Sequence, residues 1–297
     1  MAINTQQFGP VRVYFGEKNG KYPDGNQVVV NGRDTTVIFD TPLVSHRLLP
    51  ELSKADLIVL GHVHEDHTTG LGVLSHLPLV VPEQDRYAVQ SMNGMLEHYG
   101  YSPETTRQMQ KLITEQFHFV PRPDAQGYDA GDVWDLGGCR IRALHAPGHT
   151  RGHSLLYIEP DGIAFIGDID LSSFGPYYGD ACSNLGDFIK TLDDLKTLAA
   201  QTWITFHHKG VITQADEFQG LLTSYRDKID RREAAIVDAL QNRPMTLNEL
   251  VGHRFLYPPD YQNIFVEAAE RMTIAQHLQK LLDENRIACD DGTFWLC

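Results

Sequence analysis

Only four cysteines occur in the 297 residues, Cys139, Cys182, Cys289 and Cys297, and no two of them form a CxxC pair. That disfavours both a disulfide frame and a cysteine-based zinc site, so the thiols are expected to be reduced and structural. Long apolar runs are missing as well. None approaches the roughly 20 residues that a bilayer-spanning helix needs. The opening stretch MAINTQQFGPVRVYFGEKNGK has no basic segment followed by an apolar one, so no secretory signal is expected and a cytoplasmic location is. Positive charge is scarce. With 25 Lys and Arg against 39 Asp and Glu, the formal net charge is -14, which disfavours nonspecific binding to phosphate backbones. Apolar residues make up 42% of the chain, enough for a buried core.

Short β-rich runs open the chain: VRVYFG (11–16), QVVVNG (27–32) and TTVIFDT (35–41), punctuated by Gly and Asn as hairpins are. Further strands are expected at 57–60, 77–82, 117–121, 140–147, 154–160, 162–168 and 202–206. Helices are expected at 68–77, across 84–116 with a break at YGYSPE, and at 185–200. This alternation predicts two packed sheets with helices outside.

From about residue 225 the pattern turns helical. DRREAAIVDALQN, then MTLNELVGH with Thr246 as cap and Glu249 three positions on, then NIFVEAAERMTIAQHLQKLLDEN, precede RIACDDGTFWLC, a hairpin turning at Asp291-Gly292. Three helices and a hairpin outline a winged helix, which divides the chain into 1–225 and 226–297. Residues 229–297 hold 7 Lys and Arg against 11 Asp and Glu. A DNA-reading winged helix needs a basic face, so packing, dimerisation or a lid over a small-molecule substrate is the expected role, rather than nucleic-acid binding.

The densest chemistry lies in LIVLGHVHEDHTTG, where His62, His64, Glu65, Asp66 and His67 follow an apolar strand within six positions. Imidazole and carboxylate suit zinc, and also iron or manganese. His62 and His64, two apart on an extended exit, project to one side and can share one metal. Asp66 and His67 follow where the backbone turns and face a neighbouring position. Each half-site is short of ligands. His149 in APGHTRGH, Asp168 in FIGDID, and His207 and His208 in WITFHHKG stand at other strand ends and can supply them. His76, His98, His118, His145 and His253 are read as surface or hydrogen-bonded histidines, and Glu65 as solvated.

HxHxDH, PGHTxGH, an Asp after an apolar strand and a strand-end His together resemble the metallo-β-lactamase fold superfamily over roughly residues 10–215. The resemblance implies an α/β (α+β) fold, a four-layer αββα sandwich with its site along one edge of the two sheets, followed here by the small winged-helix-like tail. It implies two divalent metal ions, zinc foremost. His62, His64 and His149 would hold the first, and Asp66, His67 and a final histidine the second, with Asp168 bridging. Relatives often read Pro-Gly-His at the final position. Aligning Val211-Ile212 puts the ligand at His208 and leaves His207 behind the ligands or facing substrate.

Two such ions share a water and lower its pKa toward neutrality, and the hydroxide attacks a carbonyl or phosphorus centre. Asp66 doubles as ligand and proton carrier. His153, Thr150 and Asp40 are candidates to orient the ligand rings. In the loop DIDLSSFGPYYGDACSN, Phe174, Tyr177 and Tyr178 are candidates to line the pocket, a tyrosine hydroxyl stabilising the electrophile or leaving group. A self-packed surface loop is the other reading. The expected function is hydrolysis of a small ester, thioester or lactone. The alternative is an endoribonuclease or phosphodiesterase, as in relatives with such a tail, its phosphate met by Lys209 and Arg151. A homodimer is expected in solution.

Overall fold

The computed structural model describes residues 3–297. The first sheet has seven strands in chain order: β1 (Thr5–Phe8), β2 (Val11–Tyr14), β3 (Gln27–Asn31), β4 (Thr36–Phe39), β5 (Leu57–Val59), β6 (Leu79–Pro82) and β7 (Gln126–Tyr128). β1 to β4 are antiparallel and β4 to β7 parallel. The second sheet comprises β8 (Val133–Asp135), β9 (Arg140–His145), β10 (Ser154–Glu159), β11 (Ile163–Phe165), β12 (Thr202–Ile204) and β13 (Val211–Ile212), with only β11 and β12 parallel.

The strands read as unbroken apolar runs because both faces of each sheet are covered. In β3, Val28 and Val30 point between the sheets while Val29 points outward. In β4, Val37 and Phe39 point inward and Ile38 outward. β11 and β12 repeat the alternation: Phe165 and Ile204 lie between the sheets, while Ala164 and Trp203 face the helices. The outer face of the first sheet lies beneath α1 (Leu49–Leu52), α2 (Arg86–Gln90), α3 (Met92–Tyr99) and α4 (Pro103–Glu115). The outer face of the second lies beneath α5 (Leu185–Leu195) and the first half of α6 (Ala215–Asn242). The result is an αββα sandwich.

α6 is 28 residues long and runs without a break across residue 225. Its first half puts Phe218, Leu222, Tyr225 and Ile229 under the second sheet. Its last turns put Ile236 and Leu240 into a separate small core with α7 (Leu247–Val251), α8 (Val266–Asp283) and a three-stranded sheet of β14 (Met245–Thr246), β16 (Thr293–Leu296) and β15 (Ile287–Asp290). Thr246 and Glu249 form a reciprocal capping box.

Three segments depart from the sequence expectations. Residues 68–77 form turns rather than a helix, consistent with two weak helix formers, Gly70 and Gly72. Residues 117–121 form no strand. Phe117 and Phe119 are buried, but His118 between them has φ +53, which breaks the extension. The span 84–116 is three helices. Ser91 and Ser102 cap the second and third by accepting from the N–H groups of Gly94 and Thr105, and Gly100 ends α3 in the left-handed conformation.

Candidate metal centre

The chemistry gathers where β4, β5, β11 and β12 end on one edge of the sandwich. Asp40 follows β4, His62 to His67 follow β5, Asp168 follows β11 and His207 follows β12, while His149 stands in the turn between β9 and β10. Two glycines let these turns close. Gly148 has φ +126, and a Cβ there would meet the Phe188 backbone at 2.3 Å; Gly167 has φ +53, and its Cβ would lie 2.8 Å from His153 Nε2.

Two groups of inward-facing atoms result. His62 Nε2 lies 3.2 Å from His64 Nδ1, which lies 3.0 Å from His149 Nε2. Asp168 Oδ2 is 3.4 Å from that same His149 nitrogen. In the second group His207 Nε2 is 2.9 Å from Asp66 Oδ2, and His67 Nε2 is 3.1 Å from Asp168 Oδ1 and 3.9 Å from Asp66 Oδ1. Asp168 thus faces both groups with its two oxygens. All these side chains are buried apart from Asp168, which is 13% exposed.

Acceptors behind the ligands fix which nitrogen faces inward. His67 Nδ1 donates to Asp40 Oδ2 at 2.9 Å, His149 Nδ1 to the Tyr177 carbonyl at 2.9 Å, and His207 Nδ1 to the Gly20 carbonyl at 2.7 Å. His64 turns Nε2 toward Asp180 Oδ2 at 3.4 Å. In His67, His149 and His207 the Nδ1 atoms are committed as donors, which turns their Nε2 atoms inward. The inner nitrogens of His62, His64 and His149 lie about 3 Å apart, a spacing that a shared proton or a cation among them favours. The donor set is nitrogen and carboxylate only, buried and held from behind, as metal ligands are. The residues therefore fit divalent-cation binding.

Electrostatics agree. Burial opposes charge on His67, but Asp168, Asp40 and Asp66 outweigh it and raise its proton affinity well above the ordinary histidine range. Burial likewise opposes charge on His207, yet Asp168 and Asp66 push its pKa up to about 9. Asp168 lies well below the usual carboxylate range: burial works against its charge, but His67, His207 and His149 overcome that. Burial and the neighbouring imidazoles hold His62 well below. Sites that draw a proton this strongly draw a divalent cation by the same field.

No family model matches the chain. Solved structures do. A β-lactamase domain protein from Burkholderia ambifaria superposes with a TM-score of 0.72 at 16% identity, over 99% of this chain and 94% of that one. A metallo-β-lactamase family protein from Thermus thermophilus gives 0.69 at 22% identity, over 92% and 94%. The chain has the metallo-β-lactamase fold. Among curated sequences, an atrochrysone carboxyl ACP thioesterase of Pseudocercospora fijiensis is 26% identical over 288 residues, 92% of this chain and 74% of that protein. Another of that name from a Cryptosporiopsis species is 23% identical over 263 residues, 84% and 69%.

Within the metallo-β-lactamase fold the structure corrects four expectations. His207, not His208, completes the group with Asp66 and His67. The turn after β12 leaves His208 at φ +58, one-third exposed, with Nε2 3.5 Å from Asp170. The alignment through Val211-Ile212 misses this by one residue because a single left-handed residue reverses the side-chain direction. Tyr178 does not reach the pocket. It is fully buried, its hydroxyl 3.0 Å from His277 Nε2. Glu65 is not solvated: it is 6% exposed and accepts hydrogen bonds from the hydroxyls of Tyr22, at 2.9 Å, and Tyr99. Thr150 touches no ligand ring, since it donates to Asp85 Oδ2 at 2.6 Å.

His153 does stand behind the site. Its Nδ1 donates to the Ala146 carbonyl at 3.0 Å and its Nε2 accepts the Asp168 N–H at 3.3 Å. Burial and His149 push its pKa down to about 3, so it is the neutral ring those bonds require. Arg151 is committed to the Ala181 carbonyl and the Tyr87 hydroxyl.

A pocket of about 540 Å³ opens over both groups. Its lining includes His64, Asp66, His149, Asp168 and His207 together with Phe174 and Tyr177. Two contributors escape any sequence pattern. Asp180, 2% exposed, faces His64 and accepts from the hydroxyls of Tyr101 at 2.6 Å and Tyr177 at 3.1 Å. The segment before α8 supplies Tyr257, Pro258, Tyr261 and Phe265.

Proposed function

We propose that the protein hydrolyses a thioester, using two divalent cations held by His62, His64 and His149 on one side and by Asp66, His67 and His207 on the other, with Asp168 between them. The observation that carries this reading is the pair of converging ligand groups under a largely aromatic pocket. The relatives called ACP thioesterases direct it to the C–S bond. Bound there, divalent cations supply Lewis acidity, acidifying a water and polarising an acyl carbonyl.

The chain's own residues do the rest. Hydrogen bonds from Nδ1 of His67, His149 and His207 hold their Nε2 atoms toward the cations. His153 holds the Asp168 backbone. Asp66 Oδ2, beside His207 Nε2, is placed to take the proton that water gives up. The aromatic walls exclude bulk water, which strengthens every charge interaction inside. The water oxygen bonds to the acyl carbon, the C–S bond breaks, and the thiol leaves with a proton. Tyr177 does not stabilise the leaving group, because its hydroxyl is committed to Asp180.

A polyanionic substrate fits this lining poorly. Glu65, Asp66, Asp168, Asp170 and Asp180 face the pocket, and among the described residues Lys21 is its one Lys or Arg. The deciding experiment sets thiol release from acyl N-acetylcysteamine thioesters beside turnover of homoserine lactones, bis-p-nitrophenyl phosphate and single-stranded RNA, on purified protein loaded with zinc, manganese or iron(II). Thiol release that a chelator abolishes is expected. Turnover of RNA or lactone with no thiol release overturns the reading.

A further inference from the structure

The segment 254–265 has no regular secondary structure, yet one side chain fixes its path. Glu270 on α8 is fully buried and accepts three successive backbone N–H groups: Phe255 at 3.1 Å, Leu256 at 3.0 and 3.2 Å, and Tyr257 at 2.7 Å. Among the described residues no Lys, Arg or His forms an ion pair with it. A buried carboxylate without a cation is costly unless hydrogen bonds replace its water. The three amides do so, and in exchange Glu270 sets where Tyr257 stands.

Tyr257 stacks on Tyr261 with centroids 5.3 Å apart at 11°, and tilts against Phe174 at 5.2 Å. Its hydroxyl differs from those of five other pocket tyrosines, while Tyr261, which also lines the pocket, is 40% exposed. Tyr22 and Tyr99 donate to Glu65, Tyr101 and Tyr177 to Asp180, and Tyr225 to the Asp168 carbonyl. Among the described residues the Tyr257 hydroxyl has no partner in the chain, although its ring lines the pocket and is only half-buried.

We propose that Tyr257, held in place by Glu270, is a specificity-determining residue of this site. Its ring face selects flat acyl groups, and its hydroxyl donates to an oxygen carried on that group. The C-terminal unit thereby shapes substrate choice while every metal-binding residue comes from the sandwich. Glu270 acts through Tyr257 and is a positioning residue.

The proposal rests on the thioester reading for its reaction but not for its binding, so two readouts are needed on the full-length, metal-loaded protein. One is the ratio of kcat/KM for methoxybenzoyl over acetyl N-acetylcysteamine thioester. The other is calorimetric affinity for the free methoxybenzoic, benzoic and acetic acids. The wild type is expected to prefer one methoxybenzoyl isomer over benzoyl, and benzoyl over acetyl, in both. Tyr257→Phe is expected to lose the methoxy preference by roughly three- to tenfold, the range of one hydrogen bond, while keeping the aryl preference. Glu270→Ala is expected to lose both preferences, mainly through KM, and Glu270→Gln, with one acceptor left, to fall between. Combined with Tyr257→Ala, Glu270→Ala is expected to add nothing.

Unchanged preferences in Tyr257→Phe and Glu270→Gln overturn the proposal, as do additive losses in the double variant. If Glu270→Ala does not fold, Tyr257→Phe and Glu270→Gln still decide. If the wild type cleaves no thioester, the functional reading fails, and the acid-binding preferences still test Tyr257.

Discussion

His67 Nδ1–H donates a hydrogen bond to Asp40 Oδ2 across 2.9 Å, and both side chains are fully buried. Asp40 Oδ1 is in turn tied to the Gly61 N–H at 2.8 Å, so the carboxylate is clamped between the end of β4 and the loop that carries the ligands. Asp40→Asn leaves the shape intact but weakens the acceptor that holds the His67 tautomer. We expect a ten- to hundredfold loss of metal affinity or activity, the usual cost of altering a group behind a ligand. Competition with a coloured chelator, alongside thiol release, measures both. Wild-type affinity in the variant counts against the clamp.

His207 and His208 are neighbours with opposite fates. His207→Ala removes an inward nitrogen 2.9 Å from Asp66 and is expected to lower bound metal from two ions toward one and to abolish turnover. His208→Ala is expected to keep both ions and activity within a few-fold, since that ring faces Asp170 and solvent. Elemental analysis of the two variants side by side decides the pair, and equal losses in both contradict the assignment.

His153 predicts a pH dependence. Its pKa of about 3 in the folded protein lies below the ordinary histidine value of 6.5. Between those values the unfolded chain takes up a proton that the folded chain refuses. This residue's contribution to stability is therefore complete above pH 6.5 and is lost as pH falls toward 3. His153→Asn removes the titrating group. Its stability between pH 6 and 4 is expected to fall less steeply than wild type, by up to about 1.4 kcal/mol per pH unit. Urea unfolding at stepped pH measures the slope, and parallel slopes refute the assignment.

Phe39 tests the sandwich itself. It is fully buried between the sheets, 5.5 Å from Phe165 in ring-centroid distance, on the strand that ends at Asp40. Phe39→Ala is expected to cost about 3–5 kcal/mol, seen as a lower urea midpoint.

What was legible in the chain follows the distance over which each feature is decided. Unbroken apolar runs mark strands covered on both faces, so β3, β4, β11 and β12 show directly, and so does the packing of two sheets with helices outside. His62, His64, Asp66, His67, His149 and Asp168 stand at or just beyond strand ends, and the motif resemblance joins them into one ligand set. The choice between His207 and His208 depends on the sign of φ at His208, which no spacing records. The burial of Glu65 depends on Tyr22 and Tyr99, 43 and 34 residues away, which no local pattern records. The loop 168–184 held the tyrosines in view, but which of them faces the pocket was settled by α8: His277 takes Tyr178 away.

Asp180 is the least legible residue and makes the sharpest test. It sits twelve positions beyond Asp168 in a loop without periodicity, and nothing in the spacing marks it. Its Oδ2 faces His64 Nε2 at 3.4 Å, and its Oδ1 accepts from Tyr101 and Tyr177. One carboxylate therefore joins the His64 ring to two pocket walls. Burial opposes charge on His64, and Asp180 overcomes it, raising that ring's pKa. Asp180→Asn removes the charge but keeps an acceptor, and Asp180→Ala strands two half-buried hydroxyls and the imidazole. We expect the first variant to lose metal affinity at the His62, His64 and His149 group by roughly tenfold while sparing the other group. The second should lose a further 1–3 kcal/mol of stability from the unpaired groups. A chelator titration resolving two classes of metal tests the selectivity: weakening of both classes alike would show that Asp180 supports the whole loop rather than His64.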